Sequence, residues 1–369
     1  MNHLPTRAAG RRGPALWLAA AALACITTQA QAVDLPPGVS CKVTALPAKT
    51  AAQKAFESLL YGKWESFDEL DVQLDGLPLP ESSSRYRVLS KRPGQQPATD
   101  RPLVLLLHGF PEFSWAWETW LKDFGTQRDT IAIDLKGYGY SSKPVPLEAY
   151  ALNRLTQEID DLVECLGYKQ VVPVGHDWGA GIAWAYAINH PQRTKGLVIL
   201  STPHPYTFNR ELSNPDSEQR QKSHYIETIR EPGSAAVGKF LAEAGKTGGL
   251  PPGFYAGLRT NKLFSANMST TAKWERMFSL YRSMDFPPKP EDFPAVPSAE
   301  QRAAWTVKAP TLVLWGKADP YFSPKSWEGV EAFVPNLDFR AIEGAGHWIN
   351  HERPEVPGQV MGFINKVAP

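Results

Sequence analysis

Asp177 is the residue of this chain best placed for covalent chemistry. It lies in Gly175-His176-Asp177-Trp178-Gly179, where small residues permit a tight strand-to-helix turn that exposes one side chain at a helix N-terminus. A carboxylate there is already ionised at neutral pH and is favoured by the helix dipole, so it can attack carbon without a general base. The competing reading, an aspartate that merely caps the helix, is weakened by the flanking glycines and by two residues further along the chain. Asp319 stands just past one expected strand, 311–314, and His347 just past another, 337–342. In that order the three are nucleophile, acid and base, with Asp319 orienting His347 and stabilising its imidazolium. His351, four residues later, is a rival base whose neighbours Glu352, Arg353 and Pro354 read as a solvated helix start.

Upstream, His108-Gly109-Phe110-Pro111-Glu112 follows the apolar run 102–107. An oxyanion loop belongs there, and the backbone N–H groups of Phe110 and Trp178 are expected to hold the tetrahedral oxyanion of an ester intermediate. His108 reads as a hydrogen-bonded structural histidine beside the turn.

These residues need a scaffold of strand ends. Segments 69–77 and 85–90 read as a hairpin. Buried strands are expected at 102–107, 130–133, 171–174, 196–200, 311–314 and 337–342, with helices at 115–124, 152–166 and 180–189 between them. Such alternation predicts an α/β fold with a mostly parallel, eight-stranded sheet covered by helices on both faces. Ligands then bind at the carboxyl ends of the strands. The alternation fails across 203–306, whose amphipathic pieces 217–230, 235–244 and 272–284 predict an inserted helical cap, because a structureless loop of that length is uncommon. The core is then 67–202 with 307–369, preceded by an extension, 33–66, carrying a short apolar helix at 56–61.

Residues 1–32 read as a secretory signal: Arg7, Arg11 and Arg12, an uncharged apolar run at 15–26, and Ala30-Gln31-Ala32 as cleavage site. Twelve apolar residues are too few to span a bilayer, which needs roughly 20. The expected location is therefore periplasmic or extracellular, with no stable membrane span after cleavage. The 369-residue chain has 39 basic and 38 acidic residues. Loss of the three leader arginines turns a formal +1 into −2, and neither value suggests nucleic acid as a partner. Cleavage also leaves two of the three cysteines, Cys41 and Cys165. Whether they pair is open at this stage. No His/Cys cluster has metal-site spacing, so no metal and no cofactor are expected.

The sequence resembles the epoxide hydrolase branch of the α/β-hydrolases over about 67–367. The resemblance rests on His108-Gly109-Phe110-Pro111-Glu112, Asp134-Leu135-Lys136-Gly137-Tyr138-Gly139, the Asp177 elbow and Gly346-His347-Trp348. It implies two cap tyrosines that protonate an opening epoxide. Tyr225, eight residues before Gly233 of Glu231-Pro232-Gly233, and Tyr281 in Tyr281-Arg282-Ser283-Met284 occupy those places. The implied partner is a small apolar epoxide, with Trp178 and Phe110 beside it. The alternative is a haloalkane or haloacid dehalogenase using the same triad. Phe110 lacks the side-chain donor that would hold a halide, and Trp178 stands where the fluoroacetate type has arginine. A binding protein that lost catalysis fits an intact triad poorly.

Overall fold

A computed structural model describes residues 35–52, 67–78, 80–247 and 269–369. The expected signal segment, 1–32, and the apolar helix at 56–61 lie outside the described residues.

Nine strands form one sheet: β1 (Ser40–Ala45), β2 (Asp68–Asp75), β3 (Ser83–Lys91), β4 (Leu103–Leu107), β5 (Thr130–Ile133), β6 (Val171–His176), β7 (Leu197–Leu200), β8 (Thr311–Gly316) and β9 (Leu337–Ile342), in the spatial order β1-β2-β3-β5-β4-β6-β7-β8-β9. The first three pair antiparallel, β3 pairs antiparallel with β5, and β4 to β9 run parallel. The count exceeds the expected eight by β1, in the stretch read only as an extension. Its residues are mostly exposed, so it has no apolar run to announce it.

Strand periodicity builds two cores from the same residues. On β4, Leu103, Leu105 and Leu107 face one side while Val104 and Leu106 face the other, and all are fully buried. A strand covered on both faces therefore reads as a continuous apolar run. Helices α1 (Glu118–Phe124), α2 (Leu152–Cys165) and α3 (Trp178–Asn189) follow β4, β5 and β6. Helix α2 buries Leu155, Ile159, Leu162 and Val163 along one stripe, the spacing of a helix lying on a sheet.

Between β7 and β8 come α4 (Pro205–Ser213), α5 (Glu218–Lys222), α6 (Tyr225–Arg230), α7 (Ser234–Thr247), α8 (Thr271–Met277), α9 (Ser279–Ser283) and α10 (Ala299–Ala304). Two of the expected helices are broken. Segment 217–230 divides at Ser223, whose hydroxyl is engaged by the Gln219 amide at 2.9 Å, and 272–284 divides at Phe278. Helices α11 (Ile349–Glu352) and α12 (Val356–Val367) close the chain.

Cys41 on β1 and Cys165 at the end of α2 form a disulfide, with Cα atoms 6.0 Å apart and 124 residues between them in sequence. Closing so long a loop restricts the unfolded chain. Replacing both cysteines by serine is expected to lower stability by about 2–5 kcal/mol, read as a lower urea midpoint. An unchanged midpoint would show that the bridge contributes nothing.

Candidate active site

Strand order reverses about β4, which has β5 on one side and β6 on the other, and the candidate residues gather at the carboxyl ends of these strands, where ligands bind in such sheets. Asp177 occupies the turn between β6 and α3 with φ 51° and ψ −121°, a conformation uncommon outside glycine. Its neighbours make the turn possible. A Cβ on Gly179 would fall 2.1 Å from the Leu107 carbonyl oxygen, and one on Gly109 would fall 2.5 Å from the Asp177 Cβ. Glycine at both places lets the loop after β4 close onto the elbow.

That closure puts the Phe110 N–H on Asp177 Oδ1 at 2.8 Å. Asp177 Oδ2 lies 3.5 Å from His347 Nε2, and His347 Nδ1 lies 2.9 Å from Asp319 Oδ2. Asp319 is fixed in turn by the backbone N–H groups of Tyr321 at 2.7 Å and Phe322 at 3.3 Å, both on Oδ1. The three residues read from the sequence are thus joined by one hydrogen bond and one ion pair.

Burial alone would push the His347 imidazole down, but Asp319 and Asp177 outweigh it and carry the group up to about 10. Burial would likewise raise the Asp177 carboxyl. The hydrogen bond and charge of His347, then His176 and the Phe110 N–H, instead hold it below the usual 3.8. Asp177 and His347 are therefore an ion pair, with the carboxyl ionised.

Tyr225 and Tyr281 stand above it with ring centroids 6.2 Å apart, and Tyr281 lies edge-on to Trp178 at 4.9 Å. Burial, and for each the charge of Asp177, raises both phenols well above 10. They are hydroxyl donors at neutral pH. A cavity of about 940 Å³ runs from Asp177 and Trp178 past both tyrosines to an apolar wall that includes Phe286, Phe293 and Trp305. The Phe110 ring, expected beside the substrate, is not part of the described lining. It packs against Phe240, Trp274, Phe278 and Tyr281, while its N–H meets Asp177. Among the described residues no group of His, Cys, Asp and Glu could hold a metal ion.

Behind the triad lies a layer the sequence did not announce. His351, expected at a solvated helix start, is exposed there and also places Nε2 2.5 Å from Oε1 of the buried Glu112. His176 Nε2 lies 2.9 Å from the His347 carbonyl oxygen, and the two rings pack at 4.8 Å. His108 bridges Gly109 O and Leu135 N–H, as expected of a structural histidine. Tyr321 was also missed. Its ring lies 4.8 Å from His347 and 5.6 Å from Tyr225; its position two residues after Asp319 was the only available hint.

A family described as the α/β-hydrolase fold matches residues 102–354. "Epoxide hydrolase 1" of Caenorhabditis elegans is 30% identical over 74% of this chain and 67% of its own length. "Epoxide hydrolase 4" of Homo sapiens is 28% identical over 71% of each. The solved structure of a Bacillus megaterium epoxide hydrolase in complex with an inhibitor is 31% identical, covers 76% of this chain and 97% of its own, and superposes with a TM-score of 0.61.

The rear pair has a testable pH signature. Burial opposes ionisation of Glu112, but His351 and His176 outweigh it and hold its carboxyl below 4.5; burial opposes the charge on His351, but Glu112 outweighs it and raises the imidazole above 6.5. The Glu112 contribution to stability is fully present above 4.5 and is lost as pH falls through its lowered value. The His351 contribution is fully present below 6.5 and is lost as pH rises through its raised value. The urea-stability difference between wild type and Glu112→Gln should therefore be largest between about pH 4.5 and 6.5. A difference independent of pH would remove the ion pair.

Proposed function

The chain belongs to the α/β-hydrolase family, in its epoxide hydrolase branch, and we propose that it converts an apolar epoxide to a vicinal diol through an alkyl ester on Asp177. The observation that supports this reading is Asp177 paired to His347, with Asp177 and two protonated tyrosines lining one cavity. With Oδ1 held by Phe110, Oδ2 attacks a ring carbon. The carbon–oxygen bond breaks onto an oxygen hydrogen-bonded by Tyr225 and Tyr281, one of which gives it a proton, so no free alkoxide leaves.

Esterification removes the Asp177 charge, and with it one of the two carboxylates that raise His347. The imidazole, still oriented by Asp319, can then lose its proton, through solvent, to the tyrosinate that ring opening left, and take one from water. The resulting hydroxide adds to the ester carbonyl. Its oxyanion is held by the Phe110 and Trp178 N–H groups, and collapse, with the proton of the added hydroxyl passing to the leaving oxygen, releases the diol and restores the Asp177 carboxylate. In this reading helices α4 to α10 are the cap of 203–306. We also infer export: the leader-like 1–32 and the Cys41–Cys165 disulfide both suit an oxidising compartment.

Aryl and alkyl epoxides should yield diols, while haloalkanes and fluoroacetate release no halide. Halide release with epoxides left intact would replace this reading by dehalogenation. His347→Gln should accumulate the substrate mass on Asp177, and unmodified protein after exposure to a substrate that wild type consumes would exclude the ester. Tyr225→Phe and Tyr281→Phe should each slow ester formation, by up to about 100-fold, measured in a single turnover.

A further inference from the structure

Gln219 on the short helix α5 is fully buried, and its amide is saturated. Nε2 donates to the Tyr321 carbonyl oxygen at 2.8 Å and to Ser223 Oγ at 2.9 Å; Oε1 accepts from the Ser323 N–H and from Ser326 Oγ, each at 2.8 Å. A neutral amide has two donor hydrogens and two lone pairs, so each is used. Three of the four partners belong to the loop that begins at Asp319. That loop is therefore held by a cap residue, although β8, which leads into it, is part of the core.

The gripped segment touches both halves of the proposed chemistry. Tyr321 donates its N–H to Asp319 Oδ1 and offers its carbonyl to Gln219, so its backbone is fixed on both sides. Its ring then sits between His347 at 4.8 Å and Tyr225 at 5.6 Å. Tyr225 opens α6, directly after the Ser223 turn that Gln219 also holds. One buried amide thus joins the helix pair carrying the ring-opening phenol to the loop carrying the acid of the triad.

We propose that Gln219 is a positioning residue that, with the Tyr321 ring as spacer, keeps Tyr225 in register with the His347–Asp319 pair. The inference rests on the reaction proposed above. Two readouts test it. One is single-turnover formation and decay of the Asp177 ester, normalised to the ester-forming fraction. The other is amide exchange at Ser323, which needs no substrate. In Gln219→Leu, which keeps bulk and loses all four bonds, Ser323 exchange should rise at least tenfold and both rate constants should fall at least tenfold.

Gln219→Glu, assayed at a pH where the carboxyl is ionised, keeps the acceptor for Ser323 and Ser326 but loses the donors to Tyr321 and Ser223, so it should leave Ser323 protected and still slow both steps. It decides the matter if the leucine variant does not fold. Lys222→Ala removes a partly exposed contact from the same helix to the Pro320 carbonyl, and its rates should stay within twofold of wild type. Faster exchange in Gln219→Leu with both rate constants unchanged per active molecule would reduce Gln219 to a fold stabiliser, and unchanged exchange would show that the clamp is absent. Should wild type form no ester, the proposed reaction fails, while the exchange measurement still judges the clamp.

Discussion

The site depends on one backbone contact: Gly179, in the first turn of α3, lies against the Leu107 carbonyl so closely that no side chain fits between them. That contact lays the helix start over the end of β4 and forces the preceding residue pair into a sharp elbow. Asp177 stands at its tip in an unusual conformation because the surrounding sheet over-determines it. The same closeness brings the Phe110 N–H to the nucleophile. A longer-range consequence is that β4 and β6 must keep their parallel register, since a slip would move Gly109 away from Asp177.

Electrostatically the site is arranged in two layers. In front, one imidazole is shared by two carboxylates, and the covalent step would neutralise one of them. In the proposed reaction the change needed for the second half is then produced by the first half. Behind, Glu112 and His351 form a second pair, and His176 lies between the layers, bonded to the His347 backbone and 3.6 Å from Glu112. Two acid–base pairs share a wall of packed rings, but only the front pair touches the nucleophile.

Asp177, Asp319 and His347 were legible as a group because each follows a strand end; β6 and β8 are fully buried and read as mostly apolar runs, whereas β9 is only partly buried and carries Asp338 and Arg340. The cap tyrosines were legible only through spacing shared with a known family. Other features had no local signature. Glu112 meets His351 across 239 residues, and Gln219 meets Ser323 across 104; neither partner looks unusual in its own neighbourhood. The pairing of Cys41 with Cys165 and the strand character of β1 were hidden for the same reason. The helix breaks at Ser223 and Phe278 fall where tertiary bonding and packing override an amphipathic pattern.

Strand β1 has a wider consequence. A sheet edge with free N–H and C=O groups is a template on which another chain can add, and without β1 that edge would be β2, whose Val72 and Leu74 are fully buried. The outermost strand instead presents Ser40, Lys42 and Thr44 to water, and the disulfide fastens it to α2. The strand that adds least to the core thus covers an edge that carries buried side chains, and the covalent bridge holds it there against fraying.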